Sequence, residues 1–442
     1  MDFLNVGPGY SMNIGKPRIA VIGLGYVGLP LAIAFAKHFP VVGFDIDMQR
    51  IAQLQKGFDR TLEVDEAELQ KTSLFLTHDI QDLKDQEVLI VTVPTPVIGS
   101  KPDLEPLRKA SILLGSILKK GQIVVFESTV YPGVTENICG PLLEEHSGLQ
   151  SGKGFFLGYS PERMNPGDRH HGVEKIIKVV AGQTPKVAEF LRTLYGTITG
   201  GKIFVAASIA VAEAAKVIEN AQRDINVAFV NEVSLVMGRL DISMHDVLEA
   251  ASTKWNFLPF QPGFVGGHCI GVDPYYLASC AEQVGMTPKV ILSGRAVNEA
   301  MGKEIAALIR NRWEESSPKK TAHGPLPRIL VLGLTFKENI PDLRNTKVID
   351  FIHALKDSFQ IDVHDAFADP QEAHALYGIQ LVSTLQPDLP YDMVIGAVAH
   401  KPYGALRVED MQRLLMPEGF IADIKGMWRH SLRFGPFSYW TL

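Results

Sequence analysis

Cysteine is scarce in this chain. Cys139, Cys269 and Cys280 are the three in 442 residues, and an odd number this small cannot staple a fold of such length. A disulfide framework is not expected, and a reducing cytoplasm suits the composition. Long apolar runs are missing too: none reaches the roughly 18 residues of a membrane span. The first sixteen residues carry Gly, Pro, Asn and Ser without an apolar h-region, so no secretory signal is expected. Positive charge is not in excess. A net charge of −6 gives no electrostatic footprint for nucleic acid or an anionic membrane surface, and neither is an expected partner. With 46% hydrophobic and 21% charged residues the chain reads as globular rather than disordered. Its length exceeds what one core organises, so two or three domains are expected.

What is present begins with a βαβ pattern. Arg18-Ile-Ala-Val-Ile-Gly reads as a buried strand, Leu29 to His38 as an apolar helix, and Val41 to Asp45 as a second strand. Between strand and helix lies Gly23-Leu-Gly-Tyr-Val-Gly28. Gly23 suits the turn, Gly25 the approach of a pyrophosphate and Gly28 close helix–strand packing, with Tyr26 and Val27 on the same cofactor-facing turn. Asp45 falls 22 residues after Gly23, where a carboxylate accepts from both ribose hydroxyls and repels a 2′-phosphate. NAD is therefore expected over NADP. Arg50 is placed either at the ribose or phosphate or in solvent. Further strands at Glu87–Val93 and Gln122–Glu127 end in polar loops that put Thr95 and Thr129 at the carboxyl edge of the sheet, although each suits a cap or turn equally well. A third loop, Tyr159-Ser-Pro-Glu-Arg-Met-Asn-Pro-Gly, offers Glu162 as acid–base group and Arg163 as anion partner. A surface salt bridge between the two is an equal alternative.

Ser208 to Gly238 lacks proline, and its one glycine comes last, so a helix of about 30 residues and roughly 45 Å is expected. Lys216 and Asn220 share one face, with Arg223 a turn further on, and polar groups aligned on an apolar helix need partners. A shorter helix is expected over Met244–Ala251. Then comes Pro262-Gly-Phe-Val-Gly-Gly-His-Cys-Ile-Gly-Val-Asp-Pro, which delivers Cys269 to the start of a helix whose dipole favours thiolate. Gly263, Gly266 and Gly267 let the backbone approach a ligand closely, and Asp273 stands four residues after the thiol. Ser316 to Pro327 reads as a linker, after which the strand–helix–strand pattern returns without GxGxxG. This predicts a degenerate Rossmann-like domain for a ligand other than a dinucleotide, whose first loop, 335–346, offers Lys337 and Arg344 to a diphosphate. The aromatic tail from Ser431 carries no assignment. The division is 1–205, 206–317 and 318–442.

GLGYVGLPLA, ESTVYPG, GYSPERMNPGD, VAEAAKVIENAQRDINVA, FVGGHCIGVDPYYL and GLTFKENIPDLRNTKV occur in that order. Together they resemble the UDP-glucose/GDP-mannose dehydrogenase family over essentially residues 17–425. The resemblance implies an α/β protein: an NAD-binding Rossmann domain, a central helical dimerisation domain carrying the catalytic Cys, and a C-terminal Rossmann-like UDP-binding domain. It implies four-electron oxidation of a C6 alcohol to a carboxylate with two NAD and no metal, in surface-polysaccharide (capsule or O-antigen) synthesis, by a homodimer or larger homo-oligomer. Cys269 would capture the aldehyde as a thiohemiacetal and then carry a thioester. Lys216 and Asn220 would stabilise the oxyanion, Asp273 would orient or deprotonate Lys216 or a water, and Glu162 and Thr129 would hold the hydrolytic water, with Glu162 as its general base. Gly263, Gly266, Gly267, Lys337 and Arg344 would hold the UDP, with Arg223 and Lys254 as further substrate contacts across a dimer interface. The KWNFLPF and HCIGVDPYYL wording is similar to the branch acting on UDP-N-acetylhexosamines, UDP-N-acetylglucosamine foremost. A cysteine loop one residue shorter, and Pro166 where UDP-glucose enzymes carry a second Glu, point the same way. Two other classes stay open on sequence: a two-electron hydroxyacid dehydrogenase of the 6-phosphogluconate type, which needs no thiol, and an NAD-binding protein without catalysis.

Overall fold

Strand segments that are apolar at every position require a sheet covered on both faces, and this is how the first sheet is built. In the computed structural model Ile19, Val21, Val88 and Ile90 enter one core while Ala20, Ile22, Leu89 and Val91 enter another. The structure describes residues 3–7, 10–13, 16–163, 175–267, 269–316, 326–385 and 389–442. Pro166 and most of the expected linker, residues 317–325, lie outside the described residues. The chain divides into two compact units, Met1–Glu219 with Tyr275–Met286, and Asn220–Pro274 with Thr287–Leu442.

In the first unit, β1 (Phe3–Gly7) and β2 (Tyr10–Asn13) form an antiparallel hairpin. The main sheet takes β3 (Ile19–Ile22), β4 (Val41–Phe44), β5 (Phe75–Thr77) and β6 (Val88–Val91). A two-residue hairpin, β7 (Val97–Ile98) with β8 (Lys101–Pro102), follows. Then β9 (Ile123–Phe126), β10 (Phe156–Tyr159), β11 (Lys178–Gly182) and β12 (Ile203–Val205) complete the sheet. The spatial order is β12-β11-β10-β9-β6-β3-β4-β5. Within this sheet β5, β4, β3, β6, β9 and β10 run parallel, and β11 turns antiparallel to β10. The chain leaves β3 to one side for β4 and returns to its other side for β6. That reversal opens the crevice at the carboxyl ends where α/β sheets bind ligands.

The second unit is organised around β13 (Arg328–Leu332), β14 (Gln360–His364), β15 (Tyr391–Gly396), β16 (Leu415–Asp423) and β17 (Ser438–Thr441). All pair in parallel, in the order β14-β13-β15-β16-β17. This is the doubly wound echo expected from sequence. The unassigned tail supplies its last strand. Phe437 and Tyr439 pack toward one core, Trp440 and Leu442 toward the other. The long helix spans Ile209–Arg239, 31 residues, and the shorter one Met244–Ala251. Among the described residues no helix is long and apolar enough to cross a membrane.

Candidate active site

The glycine loop after β3 fits a dinucleotide. Gly23, at φ +93°, donates its N–H to Phe44 O (2.8 Å), and a Cβ on Gly28 would stand 1.8 Å from Gly23 O. Gly25 differs: nothing lies within 4 Å of where its Cβ would be. That open space, beside the first turn of helix Gly28–Ala36, is the cradle a pyrophosphate needs. Tyr26, Val27 and, after β6, Thr95 are half-buried. Asp45 follows β4. Its Oδ2 accepts from Leu24 N (2.8 Å) and its Oδ1 from Asp47 N (2.9 Å), and a carboxylate oxygen bonded once keeps a lone pair for a ribose hydroxyl. Arg50 corrects the solvated alternative. It is 1% exposed, its Nε donates to Leu24 O (2.8 Å), and a terminal nitrogen lies 2.7 Å from the buried Asp59. It braces the loop from beneath.

At the ends of β9 and β10 the alternative of a surface pair between Glu162 and Arg163 is not what the side chains form. Glu162 is buried and bonded through Oε2 to Lys178 Nζ (2.9 Å), which also reaches Glu127 Oε2 (2.6 Å). Tyr195 donates its hydroxyl to the other oxygen of Glu127. Arg163 pairs instead with Glu219 and donates to Ile177 O. Burial pushes the Glu127 carboxyl up, and the nearby Lys178 offsets this only in part. Thr129 is half-buried on the loop after β9. Glu213 of the long helix ties that loop down, accepting from Gly133 N (2.6 Å) and Thr135 N (2.9 Å). Lys216 is buried, with no hydrogen bond or ion pair among the described residues.

In the second unit Cys269 is exposed, four residues before Asp273, whose N–H donates to Cys269 O (2.8 Å). Asp273 opens the helix Asp273–Gln283 and is 2% exposed, with Oδ2 accepting from Asn220 Nδ2 (2.5 Å). The row expected to continue to Arg223 does not: Arg223 is exposed, and the buried group one turn past Asn220 is Asp224. Its Oδ1 accepts from Arg295 (2.7 Å) and from Asn298 Nδ2 (2.8 Å). Asn298 in turn accepts from Asn231, whose amide brackets Gly263 by taking its N–H (2.8 Å) and donating to its carbonyl (3.1 Å). Gly266 and Gly267 were expected to admit a ligand. What they admit is the loop after β13: a Cβ on Gly266 would stand 2.7 Å from Asn345 O, and one on Gly267 2.7 Å from the Phe336 ring. Lys254 is exposed in the turns beyond Met244–Ala251.

The loop after β13 repeats the first loop's design with one change. Gly333 (φ +103°) donates to His364 O, and Leu334 N donates to Asp365 Oδ2 (2.6 Å), as Leu24 does to Asp45. Here the carboxylate is saturated. Oδ2 also takes Thr335 N (3.0 Å) and His400 Nε2 (3.1 Å), while Oδ1 takes Phe367 N and Ala368 N. Because Asn339 N–H donates to His400 Nδ1, the ring's proton sits on Nε2. No acceptor is left for a ribose. Lys337 is half-buried, without a side-chain hydrogen bond or ion pair among the described residues, whereas Arg344 is bound to Asp342 through two nitrogens (2.9 and 2.6 Å).

Sequence reasoning missed Lys178, Glu127, Glu213, Asp224, Asn231 and Arg295. The available signal was polarity inside apolar runs: Lys178 interrupts Ile176-Ile177-Lys-Val179-Val180, where a lysine requires a carboxylate.

A dinucleotide-type sheet and a second parallel sheet whose equivalent acid is spent on its own loop define a two-sheet NAD-dependent dehydrogenase. The chain belongs to the UDP-glucose/GDP-mannose dehydrogenase family, matching its NAD binding domain over residues 17–199, its central domain over 210–300 and its UDP binding domain over 330–430. It is accordingly a nucleotide-sugar dehydrogenase that uses NAD. Relatives include UDP-N-acetyl-D-glucosamine 6-dehydrogenases of Pseudomonas aeruginosa (50% identical, covering 92% of this chain and 96% of the relative) and Salmonella typhi (45%, covering 93% and 97%). Protein CapL of Staphylococcus aureus is 49% identical over 93% of this chain and 96% of its own. Among solved structures, a UDP-D-ManNAc dehydrogenase from Pyrococcus horikoshii superposes with a TM-score of 0.84 at 29% identity, covering 96% of this chain and 98% of that one.

Proposed function

We propose that this enzyme oxidises the C6 alcohol of UDP-N-acetylglucosamine to the uronic acid, through a thioester on Cys269, for surface-polysaccharide synthesis. The sugar is assigned from the two relatives of that name, at 50% and 45% identity over nearly the full chain. The chemistry is carried by one observation: Asn220 is fixed to Asp273 by a buried hydrogen bond, four residues beyond an exposed Cys269.

NAD, when bound on the Gly23–Gly28 loop and Asp45, accepts a hydride at each of the two oxidations. The first, with the C6 hydroxyl proton lost to water, leaves an aldehyde at C6. The Cys269 thiolate adds to it, forming a C–S bond and an alkoxide. Asn220 has one amide N–H on Asp273 and a second left to donate to that alkoxide. Lys216, buried one turn earlier on the same helix with no partner among the described residues, supplies the positive charge, which is worth several kcal/mol to an oxyanion. Loss of the second hydride gives the thioester. Glu162 takes a proton from a water that Thr129 helps to hold, the water attacks C6, and the C–S bond breaks to release the carboxylate and restore the thiolate. For the UDP, Lys337, without a side-chain partner among the described residues, is the favoured contact and Arg344, already neutralised by Asp342, the weaker one. Gly263, Gly266 and Gly267 hold the cysteine loop in shape, and Arg223 and Lys254, both exposed, are left for contacts from a second copy of the chain. Functionally we retain the division 1–205, 206–317 and 318–442. The cosubstrates and the small, odd number of cysteines suit the cytoplasm.

The test is NADH absorbance with UDP-N-acetylglucosamine, its galacto and manno epimers, and UDP-glucose. UDP-N-acetylglucosamine should be preferred and yield about two NADH per sugar. A ratio near one would indicate a simple alcohol dehydrogenase. Cys269→Ser should bind NAD normally and form no acid, and full turnover by it would remove the thioester.

A further inference from the structure

Glu127, Lys178 and Tyr195 have no part in the reaction as assigned. Yet a lysine without solvent exposure is costly to fold around unless its charge is matched. Lys178 Nζ lies 2.6 Å from Glu127 Oε2 and 2.9 Å from Glu162 Oε2. Glu127 directly follows β9, two residues before Thr129, and Glu162 lies three residues beyond β10, so one cation links the carboxyl ends of adjacent strands and sets the spacing of the loops that carry Thr129 and Glu162. Ser160 N donating to Phe126 O (3.0 Å) and Tyr159 Oη donating to Ser128 O (3.2 Å) close the same junction. The second oxygen of Glu162 accepts from Arg163 N (2.6 Å), so both of its oxygens are held. Among the described residues, the charged and titratable groups around it include Lys178 on β11, Glu127 just after β9, Tyr195 on the helix Pro185–Thr199, and Arg163 with its partner Glu219.

We infer that Lys178 and Glu127 are positioning residues for Glu162, Lys178 fixing its direction and keeping it ionised, and Glu127 drawing away part of that cation's charge so that Glu162 remains basic enough to take a proton from water. A lysine paired with Glu162 alone would hold the carboxylate firmly but make it a poor base. A second carboxylate on the same ammonium offsets this. Burial by itself would lower the Lys178 ammonium, and the two carboxylates outweigh it and hold it above the ordinary range. The inference rests on Glu162 acting as the base proposed above.

The experiment is the pH dependence of thioester hydrolysis in single turnovers, where the rate falls on the acid side as the base protonates. Glu127→Gln leaves the ammonium to Glu162 alone, so the acid limb should move down by about 1 pH unit. Lys178→Met removes the cation and leaves a neighbouring anion, so the limb should move up by a similar amount, and Lys178→Arg should return it toward the wild-type position. Should Lys178→Met fail to fold, Glu127→Gln decides the matter alone. Limbs that stay put or shift the same way, while Glu162→Gln is slowed about 100-fold or more, would overturn the positioning role. Hydrolysis at full rate in Glu162→Gln would instead overturn the base assignment, and this inference with it.

Discussion

The two acids that close the first βα loop of each sheet show how far one residue's surroundings decide its work. Asp45 and Asp365 follow equivalent strands and accept from equivalent leucine amides, yet Asp45 has one hydrogen bond per oxygen and Asp365 has five in all. Burial alone would raise the Asp365 carboxyl. The hydrogen bonds from His400, Leu334 and Thr335 outweigh it and hold the group well below the usual carboxylate range. A folded value below the unfolded one means this stabilisation is fully present above about pH 4 and is lost as the pH falls through the window beneath it. Asp365→Asn should therefore cost about 3 kcal/mol near neutrality, where an amide group confronts donors that needed an anion. Urea titrations of both proteins from about pH 7 to about pH 3 should show the gap narrowing with acid; a constant gap would mean that the carboxylate's charge is immaterial. An acid at the end of each second strand, Asp45 after Val41–Phe44 and Asp365 after Gln360–His364, is legible in the sequence. That one of them is saturated is not, because His400 comes 35 residues later and meets Asp365 only in the folded sheet.

At the scale of elements, local patterns were legible and pairings across the chain were not. Strand, glycine turn and helix at 19–36, the 31-residue helix, and Met244–Ala251 are all written in contiguous periodicity. The last strand was also written, as alternation of Phe437, Tyr439 against Trp440, Leu442, but so short a run competes with any aromatic tail. Facing was harder. Lys216, Asn220 and Arg223 fit a helical stripe equally well on paper, and only the seating of Arg295 shows that the buried row runs through Asp224. Likewise the glycines of the cysteine loop announced close approach without saying to what. The first loop separates these uses of glycine in a way that can be tested. Gly28→Ala forces a Cβ to 1.8 Å from Gly23 O and should lower the thermal midpoint of the protein by several degrees or prevent folding. Gly25→Ala meets nothing in the protein itself, so it should fold normally while raising the Kd for NAD about tenfold or more, a loss of about 1.4 kcal/mol. Fluorescence titration with NAD and a melting curve on each variant read the two effects separately. Unaltered NAD affinity in Gly25→Ala would place the pyrophosphate elsewhere.

For the molecule as a whole, the telling feature is what the long helix leaves uncovered. Val211 is 48% exposed, Ile218 51%, Phe229 66% and Val236 46%, and half-buried Ile225 falls between them. Steps of seven, seven, four and seven residues keep all five within one narrow stripe, the spacing by which helices pair along a seam. The opposite face of the same helix buries Glu213, Asn220, Asp224 and Asn231. Apolar side chains face out while polar ones are sequestered within, an inversion that a monomer in water has no reason to keep. Burial of each such side chain stabilises by about 1.5–3 kcal/mol, and a stripe on a helix can meet its own copy across a two-fold axis without any second kind of surface. The enzyme should therefore sediment as a homodimer or a multiple of one. Phe229→Glu sets a charge at the most exposed position of the stripe, so it should shift the equilibrium toward monomer without lowering the unfolding midpoint of the monomer. Sedimentation equilibrium on wild type and variant measures this directly. A wild type that sediments as a monomer at micromolar concentration would leave the stripe without its partner and the long helix without its proposed seam.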